Sequence, residues 1–138
     1  MITALIDTNV VLDYAEEREG FFEVAEEIFM QMWQGSFIGF VSASAVTDIY
    51  FFLEKHHKSS ETALSLLIML LETLDVLAVD SQTIETAIES DMADFEDAVQ
   101  AAAAQDCDID IVITRDKSGF LDSGLNVYSP EEFLETLK

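Results

Sequence analysis

Ile2-Thr3-Ala4-Leu5-Ile6-Asp7-Thr8-Asn9-Val10-Val11-Leu12-Asp13 begins with a short run, apolar on both faces, that turns polar at Asp7. A strand of that kind belongs inside a parallel sheet covered by helices, and Thr8–Ala15 then reads as the first helix. Residues just past the carboxyl ends of such strands converge on one crevice. Asp7 stands at that position, and three more aspartates follow or nearly follow apolar runs. Asp48 trails Phe37–Val41, Asp97 opens a run of alanines, and Asp116 ends Ile109–Thr114.

Working outward, Phe21, Ala25, Ile28, Phe29 and Met32 recur at helical spacing, so Phe21–Trp33 is a helix with one core face, stopped by Gly35. Phe37–Val41 is a second strand, followed by a helix to about Glu54 that Ser42 or Ser44 can cap. Ser59 or Ser60 caps a further helix through Thr73, whose Ala63–Leu71 stretch is apolar almost all round and so suits deep burial or an interface. Asp75–Val79 is a third strand and Thr83–Glu89 a helix, with Asp80 as its cap. Asp94–Gln105 is a helix, Ile109–Ile113 a fourth strand and Leu125–Tyr128 a fifth. Pro130, preceded by Ser129, starts a closing helix through Leu137. Met30, Met32, Trp33 and the Phe51-Phe52 pair are expected in the core. Strands alternating with helices imply an α/β class, a sandwich around a parallel sheet, with residues 1–138 forming a single domain.

Half of the 138 residues are hydrophobic, which argues against disorder even at a net charge of −22. The single cysteine, Cys107, excludes an internal disulfide, and no signal peptide or bilayer-length segment is visible. A soluble cytoplasmic protein is the expectation. With 28 acidic and 6 basic side chains, the averaged field repels nucleic acid and favours a basic partner. The basic cluster Lys55-His56-His57-Lys58 fits either a helix C-terminus, which cations favour, or a phosphate contact.

Carboxylates gathered in one crevice resist ionisation unless a cation sits among them, and hard cations such as Mg²⁺ or Mn²⁺ take oxygen ligands. Each acid also has a local explanation. Asp7 and Asp116 can cap helices, Asp94 and Asp97 resemble a capping box, and Asp48 can be a solvated helix residue. Caps do not account for the recurrence at strand ends, and Asp94 and Asp97 share a helix face. No Gly-rich phosphate loop, zinc-type Cys/His spacing, Gly-x-Ser-x-Gly or His-Glu-x-x-His is present.

Four segments together resemble the PIN-domain ribonucleases, especially the toxin-like members related to the VapC group. They are Leu5–Asp13, Val46-Thr47-Asp48-Ile49-Tyr50, Asp94-Phe95-Glu96-Asp97-Ala98-Val99-Gln100 and Ile113-Thr114-Arg115-Asp116, and the match runs nearly end to end. The resemblance implies a three-layer α/β/α fold, a five-stranded parallel sheet ordered 3-2-1-4-5, and Asp80 on a remote edge strand. It implies Asp7, Asp97 and Asp116 as core metal ligands and catalytic residues, with Asp94 as an accessory ligand. Asp48 is implied as a further catalytic residue and metal ligand; it stands where the family usually has glutamate, one methylene longer, so its coordination is either weaker or through a water. Thr8 and Thr114 are implied as supports of the ligand shell, and Asn9 as a brace for the loop after the first strand.

The function expected is a Mg²⁺- or Mn²⁺-dependent endoribonuclease, a toxin neutralised by a basic antitoxin-type protein and forming a homodimer. Arg115, Lys117, Lys55 and Lys58 are candidate RNA phosphate contacts. A PIN-like docking module with weak or no nuclease activity is the alternative. A phosphatase or phospho-acceptor domain also uses an Asp after its first strand, but it wants a second acid where Asn9 stands, and the receiver pattern finds only Asp80.

Overall fold

Leu5 points to one side of the sheet while Ala4 and Ile6 point to the other, and all three are fully buried. This period-two alternation in β1 (Thr3–Ile6) demands a helical layer on each face. The structure, a computed structural model, describes all 138 residues. β1 is the central strand of a five-stranded parallel sheet ordered β3-β2-β1-β4-β5, as the resemblance implied. It pairs with β2 (Ile38–Ser42) through Thr3–Ile38 and with β4 (Ile111–Ile113) through Ile6–Ile113. β3 (Asp75–Leu77) and β5 (Asn126–Tyr128) are the edges.

Parallel neighbours cannot be joined by tight turns, so helices make every long crossing. α1 (Thr8–Ala15) and α2 (Phe22–Trp33) link β1 to β2; α3 (Ala43–His57) and α4 (Ser60–Thr73) link β2 to β3. α5 (Ser81–Glu89) and α6 (Phe95–Asp106) lead to β4, a 3₁₀ turn (Lys117–Phe120) leads to β5, and α7 (Pro130–Thr136) closes the chain. Ala4, Ile6 and Ile113 pack with Val10, Phe29, Leu53, Leu70 and Phe133 on one face. Leu5 and Val112 pack with Ala101, Ala103, Ala104 and Phe120 on the other. Small side chains on α6 let that helix lie close to the sheet, which sets the position of everything at its N-terminus.

Local chemistry fixes the boundaries. Ser42, Ser59 and Ser129 cap α3, α4 and α7, and Ser129 forms a full capping box with Glu132. Asp80 caps α5 in a box with Thr83, so that helix begins two residues before Thr83. β4 starts at Ile111 because Asp108 takes a left-handed φ of 57° and Ile109 N–H still bonds to Ala104 in α6. α3 runs past Glu54 to His57 and closes on Lys58 at φ 54°, so Lys55, His56 and His57 occupy the last turn, where cations are favoured.

One packing expectation needs correction. Met30, Trp33, Phe51 and Phe52 are exposed, and of that group only Met32 packs against the core. The buried stripes are Ala25, Ile28 and Phe29 on α2 and Ala45, Ile49 and Leu53 on α3, which turns both phenylalanines outward. Trp33 is held at the rim by a 2.9 Å hydrogen bond from its indole to Thr73. α4 is likewise split: Ala63, Leu67 and Leu70 are buried, while Leu64, Ile68 and Met69 face solvent. No helix is long and apolar enough to cross a membrane.

Gly39 lies where β2 meets α2: a Cβ there would meet Met32 Sδ and stand 2.8 Å from Ile6 Cδ1. Gly39→Ala should therefore lower folding stability by about 1–3 kcal/mol, as overpacking does. Urea unfolding of the two proteins checks this, and equal midpoints would refute it.

Candidate active site

From β1 the chain builds β2 and β3 on one side, then returns to lay β4 and β5 on the other. A crevice opens at such a reversal, beyond the carboxyl ends of β1 and β4. Asp7 follows β1 directly, and Thr114 and Asp116 follow β4. The Asp7 amide donates to the Ile113 carbonyl at 3.0 Å, continuing the ladder into the crevice. Its Oδ1 accepts from the Thr8 amide at 2.8 Å, and its Oδ2 accepts from the Thr114 hydroxyl at 2.8 Å. The same hydroxyl accepts from the Asp116 amide at 3.0 Å. One buried threonine thus positions both acids.

α6 delivers the next pair. Asp94 caps it, accepting from the Asp97 amide at 2.9 Å, and Asp97 projects from its first turn. Asp48 comes from the first half of α3. Asp7, Asp48, Asp94, Asp97 and Asp116 all line one open cleft of about 350 Å³, together with Thr8 and Asn9. Capping and cleft-lining coexist in Asp7 and Asp94, so neither explanation displaces the other. Gly119 is part of the cleft's shape: a Cβ there would lie 2.8 Å from Asp97 Oδ2 and 3.0 Å from Asp116 Oδ2. Another hollow, about 380 Å³ between α2 and α7, is lined by helix-surface side chains such as Glu27, Gln31 and Glu131, away from the strand ends.

The proposed cations are elsewhere. Arg115 forms a fork with the buried Asp13 carboxylate, at 2.6 and 3.1 Å, and lies 4.0 Å over the Phe21 ring. Lys117 is paired with Glu132 at 2.8 Å, and this, with the Ser129 amide, holds the Glu132 carboxyl down at about 2. Lys55 and Lys58 belong to the far end of α3, and none of the four lines the cleft.

Five cleft residues were not among the candidates: Leu12, Arg18, Phe52, Glu96 and Gln100. Gln100 had a signal, since it continues the i, i+3 row of Asp94 and Asp97. Its Nε2 donates to Asp7 Oδ1 at 3.4 Å, a long bond, while its Oε1 and the Asn9 Oδ1 are buried without a protein partner.

Burial raises the Asp7 carboxyl, against the hydrogen bonds from Thr114, Gln100 and Thr8 that pull it down. Asp97 is pushed up to about 7, first by desolvation and then by Asp7, Asp94 and Asp116. The donor set is all oxygen, the acids repel one another, and the glycine leaves their facing oxygens unobstructed, which suits a hard cation. No three carboxylates converge into a ready-made cage. Mg²⁺ commonly keeps several waters and takes one or two carboxylates, so an open cleft fits it better than a closed cage would.

The PIN domain sequence profile matches residues 3–118. The chain belongs to the PIN-domain family. No curated protein sequence matches it significantly. Among solved structures, VapBC2 from Rickettsia felis bound to a promoter DNA fragment is similar at TM-score 0.69 and 12% identity, covering 93% of this chain and 98% of that one. VapBC-1 from nontypeable Haemophilus influenzae is similar at 0.68 and 14%, covering 94% and 99%. VapC20 from Mycobacterium tuberculosis, a sarcin-ricin loop cleaving toxin, is similar at 0.62 and 16%, covering 79% and 86%. At these identities the likeness establishes the fold, which is that of VapC toxins.

Asp97 keeps its proton to about pH 7 when folded, against an ordinary aspartate value of 3.8. The folded state therefore binds more protons between those values, and stability is lost as pH rises through that window. In EDTA the melting temperature should fall between pH 5 and about 8, less so in Asp97→Asn and less so with Mn²⁺ present. Thermal scans across pH check this; a flat profile in EDTA would refute it.

Proposed function

We propose that this chain is a Mg²⁺- or Mn²⁺-dependent endoribonuclease that hydrolyses RNA phosphodiester bonds at the acidic cleft. The observation that carries this reading is the meeting of five aspartates, from β1, α3, α6 and the end of β4, in one cleft of a PIN-domain chain. Asp7, Asp97 and Asp116 would hold a cation, with Asp48 and Asp94 available to a second. Such an ion polarises the phosphate, lowers the pKa of water and stabilises a leaving oxygen. The chain's own share is orientation and charge. Thr114 and Thr8 lock the Asp7 carboxylate, and Thr114 also fixes the start of the Asp116 loop. In the ion-free cleft Asp97 holds its proton to about pH 7, and a cation binding there would displace that proton. The Asn9 and Gln100 oxygens, buried and unpartnered beside the cleft, are acceptors for an enclosed water.

The same reading makes the chain a toxin component, restrained by a basic amphipathic protein segment and working as a homodimer. The net charge of −22 supports a basic partner. Exposed Met69 on α4 lines a hollow with Tyr14, Phe22 and Leu66, with Glu17 and Glu26 beside them, and Leu64 and Ile68 add exposed apolar area elsewhere on the same helix. That combination suits an apolar helix face edged with cations. Exposed Phe51, Ile88 and Phe95 offer apolar area for self-association. A docking module with little or no nuclease activity is supported by the same surfaces, but it has no need of five acids in one cleft.

Cleavage of a mixed structured and single-stranded RNA pool, in Mg²⁺, Mn²⁺ or EDTA, tests the proposal. Cuts should require the ion and fall by roughly 100-fold or more in Asp7→Asn and Asp97→Asn, equivalent to several kcal/mol of transition-state stabilisation. Cleavage that persists in EDTA, or in both variants, would overturn it.

A further inference from the structure

Within the five-aspartate cleft stands one cation, Arg18. Every other arginine or lysine outside the α3 terminus is held by an acid: Arg115 by Asp13, Lys117 by Glu132 and Lys138 by Glu135. Arg18 is therefore the one cation that a phosphate strand lying across the five acids would meet.

Arg18 is also held, but incompletely. Its Nε and Nη2 donate to Glu16 Oε1 at 3.0 and 2.9 Å, and its Nη1 lies 3.6 Å from Asp13 Oδ1. Asp13 is already satisfied by the shorter Arg115 fork. A guanidinium has five N–H donors, and these contacts use three at most. The remaining two, one on each terminal nitrogen, form the edge that can take a phosphate. The residue is fixed at both ends: its amide bonds to the Asp13 carbonyl, and its carbonyl accepts from the Phe21 and Phe22 amides. The Glu16 carboxylate, whose side chain is only 6% exposed, aligns the guanidinium as a buried partner should.

We propose that Arg18 is a substrate-contact residue that grips an RNA phosphate adjacent to the scissile one, setting the strand's path across the cleft. The inference rests on the nuclease reading. It supplies what that reading lacks, a local attraction for RNA on a chain of net charge −22. Glu16 then acts against it, competing with phosphate for the same guanidinium.

Steady-state cleavage of a short single-stranded RNA in Mn²⁺, at several salt concentrations, tests this in wild type, Arg18→Gln, Glu16→Gln and the double variant. Arg18→Gln should raise KM about tenfold and flatten the salt dependence of log kcat/KM by about 0.7, the share of one phosphate contact on a single strand. Mn²⁺ affinity by calorimetry should not change. Glu16→Gln should leave KM unchanged or lower it, because it frees donors. The double variant, which removes the pair together, should match Arg18→Gln even if the single change leaves Glu16 too poorly matched to fold. A rise in KM of equal size in Glu16→Gln would make Arg18 a packing device and overturn the inference. So would an unchanged KM in the double variant. If wild type itself does not cleave, the nuclease reading falls and this inference with it.

Discussion

The hydrogen bond from Thr114 to Asp7 joins residues 107 apart in sequence and sits where two halves of the sheet meet. Its geometry depends on β1 and β4 keeping one register, Ile6 against Ile113, and that register depends on burial of Leu5 and Val112 on one face and Ile6 on the other. A slip of one residue would turn each of these side chains to the wrong layer. The cleft is therefore a by-product of core packing. Hydrophobic burial supplies the free energy, and the threonine turns it into the placement of two carboxylates.

Electrostatics runs against that packing. Burial and mutual repulsion raise Asp7 and Asp97 together, so the folded chain holds an arrangement of acids it would not choose for stability alone. Structural pairs elsewhere are the opposite kind. Asp13 is almost fully buried yet doubly matched by arginines, and Glu132 is lowered by its lysine. Acids that are compensated and acids that are left in conflict are thus spatially sorted, and the conflict is confined to the switch point.

The apolar run of β1, the serine and aspartate caps and the recurrence of aspartates past apolar runs made the α/β class and the candidate acids legible in the sequence, because those signals are local or periodic; the strand order followed only from the resemblance to the PIN domains. Asp80 was correctly separated from the others, since Thr83 completes its box three residues later. Exposure of Trp33, Phe51 and Phe52 was not legible: a helix with more apolar residues than its core face can hold must leave some outside, and the sequence does not say which. Arg18 escaped for a related reason. It lies in an acidic loop with no motif, and only the packing of α1 against α2 and α3 brings it to the cleft. Arg115, beside Asp116 in sequence, looked better placed, but Asp13 and Phe21 claim it first.

Central position in the sheet also has a temporal side. β1 leaves the ribosome more than a hundred residues before its neighbour β4, and no hairpin pairs that edge of β1 in the meantime. Asp7 therefore waits, unpaired on that edge, until β4 emerges. Asp97 and Asp116 arrive last, with Gly119 and Phe120 to seat their loop. A nascent or prematurely ended chain can build the first crossings of the sheet and still lack the cleft, which ties whatever chemistry it performs to translation of Asp97 and Asp116.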